Sequence, residues 1–165
     1  MKGDPMARTI AFRFLFLAGA VGLLTAATAE AAGPFQFFSV TPCRIVDTRG
    51  PTGFTGGPAL TSGVTRSFPI DVSPAACGVP TTAKAAVLNV TFVTPTLDGY
   101  LTIWPFNTPQ PLVSTINAAA GEPAIANGAI VPLTVDIQFN VSVYYGTAVP
   151  GGTAHVIFDV TGYFQ

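Results

Sequence analysis

The sequence predicts an all-β protein: an antiparallel β-sandwich, jelly-roll or immunoglobulin-like, of about nine strands. Three observations carry this. From about residue 35 onward, apolar residues recur with period two in short runs split by Gly, Pro, Asn and Thr. No stretch after the N-terminal apolar segment has helical periodicity, which removes βαβ units from consideration. β-branched and aromatic residues fill the runs, as a pleated, half-buried surface favours.

The N-terminal segment reads as a leader rather than as part of the fold. Lys2, Arg8 and Arg13 precede an apolar run from Phe14 to Leu24, and Ala29-Glu30-Ala31 fits a small-x-small cleavage rule. A secretory signal peptide over residues 1–31 is predicted, leaving a single domain over 32–165. The apolar run is short of the roughly 20 residues a membrane span needs. Met6 opens a more regular leader than Met1, so the start of translation lies at one or the other.

The strands follow in order. "FQFFSV" and "CRIVDT" open the domain. "RSFPIDV" sets Phe68, Ile70 and Val72 on one face, and "AAVLNVTFV" sets Leu88, Val90 and Phe92 against Val87, Asn89, Thr91 and Val93. "GYLTIWP" alternates Leu101 and Ile103 with Tyr100, Thr102 and Trp104, and "PLVSTIN" follows. "IVPLTVD" points Val131, Leu133 and Val135 inward. "IQFNVSVYY" alternates Ile137, Phe139, Val141, Val143 and Tyr145 with polar residues and Tyr144, and "AHVIFDVTGYF" closes with Val156, Phe158 and Val160 on one face. Two long connections remain, Arg49 to Gly63 and Ala118 to Ala129, the first rich in Gly and Pro. Asp98-Gly99 reads as a hairpin turn.

Charge and cysteine content narrow the function classes. Residues 32–165 carry four cations (Arg44, Arg49, Arg66, Lys84) against six acids (Asp47, Asp71, Asp98, Glu122, Asp136, Asp159). Charged residues are usually about a quarter of a chain. With no basic patch, nucleic acid is excluded as a partner. A surface with so little self-repulsion favours association. Cys43 and Cys77 form an even pair in a secreted chain, which predicts one disulfide, Cys43–Cys77.

The segments "TPCRIVDTR", "CGVP", "AAVLNVTFVTPTLDGYLTIWP", "STINAAAGEPAIANGAIVPL" and "VIFDVTGYF" occur in this order. As a set they resemble a family of secreted bacterial β-sandwich domains. That family is marked by P-x-R-hydrophobic-hydrophobic-D-T-R near its start, hydrophobic-N-V-T and G-Y-L-T between, and D-V-x-G-Y-F at its end. The resemblance covers essentially all of residues 32–165. It implies an extracellular module, usually appended or repeated in large proteins, some with hydrolase domains, and assigns the module no activity of its own. A lone module favours a self-sufficient binding or building role over service to an attached enzyme.

"CRIVDTRG" concentrates charge in a chain that has little. Strict alternation puts Cys43, Ile45 and Asp47 on one face and Arg44, Val46 and Thr48 on the other. Asp47 and Thr48 suit a turn at a strand end. Arg44 or Arg49 can grip a carboxylate with both arms of its guanidinium, and Asp159 in the last strand is the candidate partner. The expectation is a structural polar clasp of Arg44, Asp47, Arg49 and Asp159.

Catalytic readings are weaker. His155 is the chain's only histidine, there is no G-x-S-x-G, and both cysteines are expected to be bonded. Zinc needs three or four nitrogen or sulfur ligands, more than this domain supplies. Asp98 and Glu122 could act as a glycosidase pair only if brought close, and the sequence does not place them together. Asp47, Asp98 and Glu122 are unclustered loop acids, a poor calcium set. No enzyme activity, metal or cofactor is expected. Asn89 and Asn140 sit in N-V-T and N-V-S but read as strand positions rather than glycosylated loops.

Two surfaces stand out. Tyr100, Trp104 and Tyr144 fall opposite their aliphatic neighbours, suited to stacking on sugars or to a protein interface. "GPFQFFSV", with Phe35, Phe37 and Phe38, directly follows the cleavage site and could serve as a donor strand to a neighbouring copy. The leading expectation is a secreted, non-enzymatic structural protein of the cell surface or matrix, a homo-oligomer or filament. The alternative is a carbohydrate-binding module that holds polysaccharide through the exposed aromatics.

Overall fold

A computed structural model describes residues 34–71, 77–136 and 138–165. The predicted leader over 1–31, Gly33 of the donor segment, Val72 and Ile137 lie outside these residues. Among the described residues there are nine strands: β1 (Phe37–Asp47), β2 (Leu60–Thr61), β3 (Thr65–Phe68), β4 (Ala85–Val93), β5 (Gly99–Pro105), β6 (Ile116–Ala118), β7 (Ile125–Pro132), β8 (Val141–Thr147) and β9 (Thr153–Phe164).

They form two antiparallel sheets, β1-β9-β4-β7 with β2 appended to β9, and β3-β8-β5-β6. Four antiparallel pairs nest inside one another: β1 with β9, β3 with β8, β4 with β7 and β5 with β6. First-with-last pairing, repeated inward, is the roll of a jelly roll, which decides between the two sandwich types the sequence allowed. It also follows that β4 and β5 lie in different sheets. Asp98-Gly99 is therefore a crossing between sheets and not the hairpin its dipeptide signals.

The core is built as the period-two pattern requires. Leu88, Val90 and Phe92 of β4, Val156, Phe158 and Val160 of β9, and Leu101, Val141, Val143 and Tyr145 from the other sheet are all buried. Each such side chain contributes roughly 1.5–3 kcal/mol. Two edge-to-face ring pairs join the sheets, Phe68 to Phe158 at 5.7 Å and Phe92 to Tyr145 at 5.4 Å. The Tyr145 hydroxyl donates to the Leu97 carbonyl at 2.7 Å, so the largest fully buried side chain leaves no polar group unmet. Burial pushes that phenol's pKa up.

Several expectations are corrected. The two opening runs are one continuous strand, β1, and its alternation fails because register shifts fall between Ser39 and Cys43 and between Arg44 and Val46. A bulge inserts a residue and turns neighbouring side chains to the same side, so Ile45 and Val46 are both buried. β7 starts at Ile125, inside the stretch expected as a loop, and Val135 is 74% exposed rather than inward. β6 is only three residues long, and Leu112 and Val113 stand outside it, exposed. β8 begins at Val141, so Asn140 is not a strand residue, and it is wholly buried.

The Arg49–Gly63 connection is ordered by one cation. Arg66 of β3 donates from its two terminal nitrogens to the carbonyls of Gly53, Gly56, Gly57 and Pro58. Its guanidinium also lies 4.7 Å from the Phe68 ring centre. Burial lowers its pKa. Within this connection, β2 pairs with the start of β9.

Candidate functional site

Cys43 and Cys77 are bonded, with Cα atoms 5.6 Å apart. A disulfide is consistent with an extracellular, oxidising setting. Among the described residues no helix is long and apolar enough to cross a membrane.

The clasp forms beside this bond, on the outer face where β1 meets β9. Arg44 faces Asp159 directly across the two strands. Its Nε donates to Asp159 Oδ1 at 2.8 Å and its Nη2 to Oδ2 at 3.1 Å. Arg49 grips Asp47 in the same two-armed way, at 2.9 and 2.7 Å, and its backbone N–H donates to Asp47 Oδ1 at 3.1 Å. A longer Arg44–Asp47 contact of 3.5 Å joins the pairs into a neutral chain of four. The hydrogen bond from Arg49 is the main reason Asp47 is lowered to a pKa of about 2. The Asp159 hydrogen bond raises Arg44 and the Asp47 hydrogen bond raises Arg49.

All four predicted members are therefore together, each paired with another member. The arginine side chains are 49% and 47% exposed. Pairs this wet contribute little, well short of a buried pair. Asp47 sets a pH dependence. Its folded pKa lies below the unfolded value of 3.8, so its contribution is complete above about pH 4 and is lost as pH falls toward 2. Melting curves of wild type and Asp47→Asn should differ by a few degrees at pH 6 and converge by pH 2.

The aromatic set is divided. Trp104 is only 6% exposed. Its indole N–H donates to the Thr108 carbonyl at 3.0 Å, and Thr102 Oγ1 donates to the Val113 carbonyl at 2.7 Å, so the chain from 106 to 115 folds over this part of the sheet. Trp104 is thus a loop anchor rather than an exposed contact, because the outer face it was assigned to is covered. Tyr100 and Tyr144 remain partly exposed, with ring centres 6.2 Å apart. Tyr100, Thr102, Gln110, Pro111, Ser114 and Asn117 line a groove of about 350 Å³ with Leu112 and Val113 at its lip.

Other candidates resolve into structural roles. Thr48 Oγ1 accepts the Val156 N–H at 2.9 Å and lies 3.2 Å from His155 Nδ1. Thr48 is buried, so this pair offers no accessible nucleophile. The loops of Asp98 and Glu122, which the sequence left apart, are adjacent: Thr94 N–H donates to the Glu122 carbonyl and Gly121 N–H to the Pro95 carbonyl. Asp98 Oδ1 accepts the Ala120 N–H at 2.7 Å, tying the two loops. Phe37 and Phe38 pair within their own chain, opposite Phe164 and Tyr163, with ring centres 5.5 and 5.2 Å apart. Among the described residues no three His, Cys, Asp or Glu side chains gather as a metal site.

No family model matches the chain, and no curated protein matches it in sequence.

Proposed function

We propose that this is a secreted bacterial structural protein without enzymatic activity, which self-associates by joining sheet edges. The observation that carries the reading is β7. It is an eight-residue edge strand with the sequence "IANGAIVP". It has no charge, no bulge along its register with β4, and proline only at its last position. Folded proteins blunt their edges with charge, proline or bulges, and β7 lacks all three from Ile125 to Val131. The opposite edge of the same sheet, β1, carries two register shifts, Pro42 and Arg44.

The partner that fits is a second copy of this chain. An uncharged strand has no like-charge repulsion against itself. Ile130, 64% exposed, and the exposed Ile125 would be withdrawn from water on pairing. The donor strand of the sequence reading occupies its own sheet here, so assembly by strand exchange requires β1 to leave β9, whereas pairing at β7 requires no rearrangement.

Light scattering and electron microscopy of the protein over residues 32–165 test this. Dimers are expected for wild type, since β7 paired with β7 of a second copy is a two-fold contact that closes. Ile130→Lys, on the exposed face, should give a monomer with an unchanged melting temperature. A wild-type monomer at all accessible concentrations would overturn the reading.

A further inference from the structure

A second surface, on the other sheet, has the chemistry of a ligand site. Tyr100 in β5 faces Gly146 in β8 directly across the strands. A methyl group placed on Gly146 would meet Tyr100 Cζ at 2.2 Å, Cε1 at 2.4 Å and Oη at 2.5 Å. A point nearly equidistant from three bonded atoms, with the middle one nearest, lies above the ring plane rather than at its rim. Tyr100 therefore lies face-down over the glycine. No other residue type leaves space for the ring there. The side chain is held flat on the sheet, and its other face forms the floor of the groove.

The groove's other side chains are neutral. Gln110 and Asn117 supply amides, Ser114 a hydroxyl, and Pro111 an apolar wall, while Thr102 beneath them is buried with its hydroxyl on the Val113 carbonyl. Asn117 stands opposite Tyr100 in β6, next to the ring. Its Nδ2 donates to Ser114 Oγ at 3.1 Å, which fixes the amide and leaves Oδ1 without a partner among the described residues. Tyr144 adds a second, tilted ring beside the first. Thr115, at the end of the overhanging chain, is held by Asn127 Nδ2 at 2.7 Å and by its own hydroxyl on the Ile103 N–H at 3.1 Å. The wall of the groove is thus pinned at both ends, since Trp104 holds Thr108.

We infer that this groove binds a neutral polysaccharide, with a sugar ring stacked on Tyr100 and its hydroxyls bonded to Asn117 and Gln110. A flat ring face meets the apolar face of a pyranose, and amides are suited to vicinal hydroxyls as paired donor and acceptor. The absence of charge from the lining disfavours phosphate, uronate or a peptide terminus. The groove is open to solvent along the sheet, which suits a chain rather than an enclosed small molecule. The groove lies on the other sheet from β7 and meets that strand through Asn127, which holds the Thr115 carbonyl, while Ile130 takes no part in it.

The test is retention of the protein on insoluble cellulose, chitin, xylan and mannan, with alginate as an acidic control, in wild type and variants. Retention on at least one neutral polymer is expected. Tyr100→Ala and Asn117→Ala should each weaken it about tenfold, while Tyr100→Phe, which keeps the ring, preserves it. Circular dichroism melts of the variants separate lost binding from lost folding. Ile130→Lys should bind as wild type does. Failure to bind any neutral polymer, preference for alginate, or retention unaffected by Tyr100→Ala and Asn117→Ala in folded protein would each overturn the assignment.

Discussion

Asn140→Ala is expected to lower the melting temperature by about 10–15 °C, corresponding to about 4 kcal/mol in a domain of this size. Asn140 is wholly buried, and its side chain joins three segments. Oδ1 accepts the N–H groups of Ile70 at 2.6 Å and Asp71 at 3.1 Å, while Nδ2 donates to the Thr134 carbonyl at 3.0 Å. Its backbone continues the junction: N–H to the Phe68 carbonyl at 3.0 Å, and its carbonyl accepts Phe106 and Thr134 N–H groups. The alanine removes one amide but strands two donors and one acceptor where water has little access. An unmet buried group costs about 1–3 kcal/mol. Asn140→Asp isolates the donor half: the carboxylate can still accept both N–H groups, but it faces the Thr134 carbonyl without a hydrogen to offer. Its loss should be large at neutral pH and smaller in acid, where a protonated carboxyl can donate. Thermal melts of both variants at two pH values check this. The same geometry makes Asn140 unavailable to a glycosyl group in the folded protein, although N-V-S satisfies the sequon.

How legible such features are depends on whether a regular period expresses them. β4 and β9 were readable because each lies inside its sheet with one face on the core, so alternation repeats along its length. The clasp was readable because Arg44 and Asp159 are rare charges on the first and last strands, and a roll pairs first with last. β1 hid its faces because a bulge breaks period two without leaving a mark in composition. The end of β7 was readable in "IVPLTVD", whose Val131 is buried, but its first five residues hid: an edge strand exposed on most of its length needs few apolar residues, and "EPAIANGA" has the composition of a loop. Trp104 was placed on the correct face but with the wrong exposure, because the covering chain from 106 to 115 has no regular pattern. Asn140 was invisible for a related reason. A buried polar residue is specified by partners at positions 70, 71 and 134, and nothing local to "FNVS" announces them. Arg66 offered a weak signal that could have been used: it is a lone cation next to a long Gly-rich stretch whose many carbonyls need donors.

Opening the disulfide is the second large effect expected. Cys43 and Cys77 are 34 positions apart, so the bond closes a loop that restricts the unfolded chain by roughly 3.8 kcal/mol. The loop contains the whole Arg49–Gly63 connection, β2 and β3. Restriction matters more here than for a hairpin-rich segment, because much of this chain is glycine and proline without regular pairing. Cys77 is also part of the buried core with Val79, and Cys43 packs against it from β1. The native loss on Cys→Ser is therefore added to the entropic one, since two hydroxyls replace a bonded apolar pair. Cys43→Ser/Cys77→Ser should melt at least about 13 °C below wild type, and reductant should shift wild type but leave the double variant unmoved. Cys43→Ala/Cys77→Ala separates the two contributions: the alanine pair keeps the core apolar and should recover part of the loss, the remainder being the loop term. The clasp gives an internal check. Arg44, Asp47 and Arg49 lie inside the 43–77 loop and Asp159 outside it, but the clasp and the disulfide share no side chain, so if they act independently Asp47→Ala should subtract nearly the same small amount from wild type and from the alanine pair. A much larger cost in the alanine background would mean that the disulfide and the four-charge network hold β1 on its sheet jointly rather than side by side.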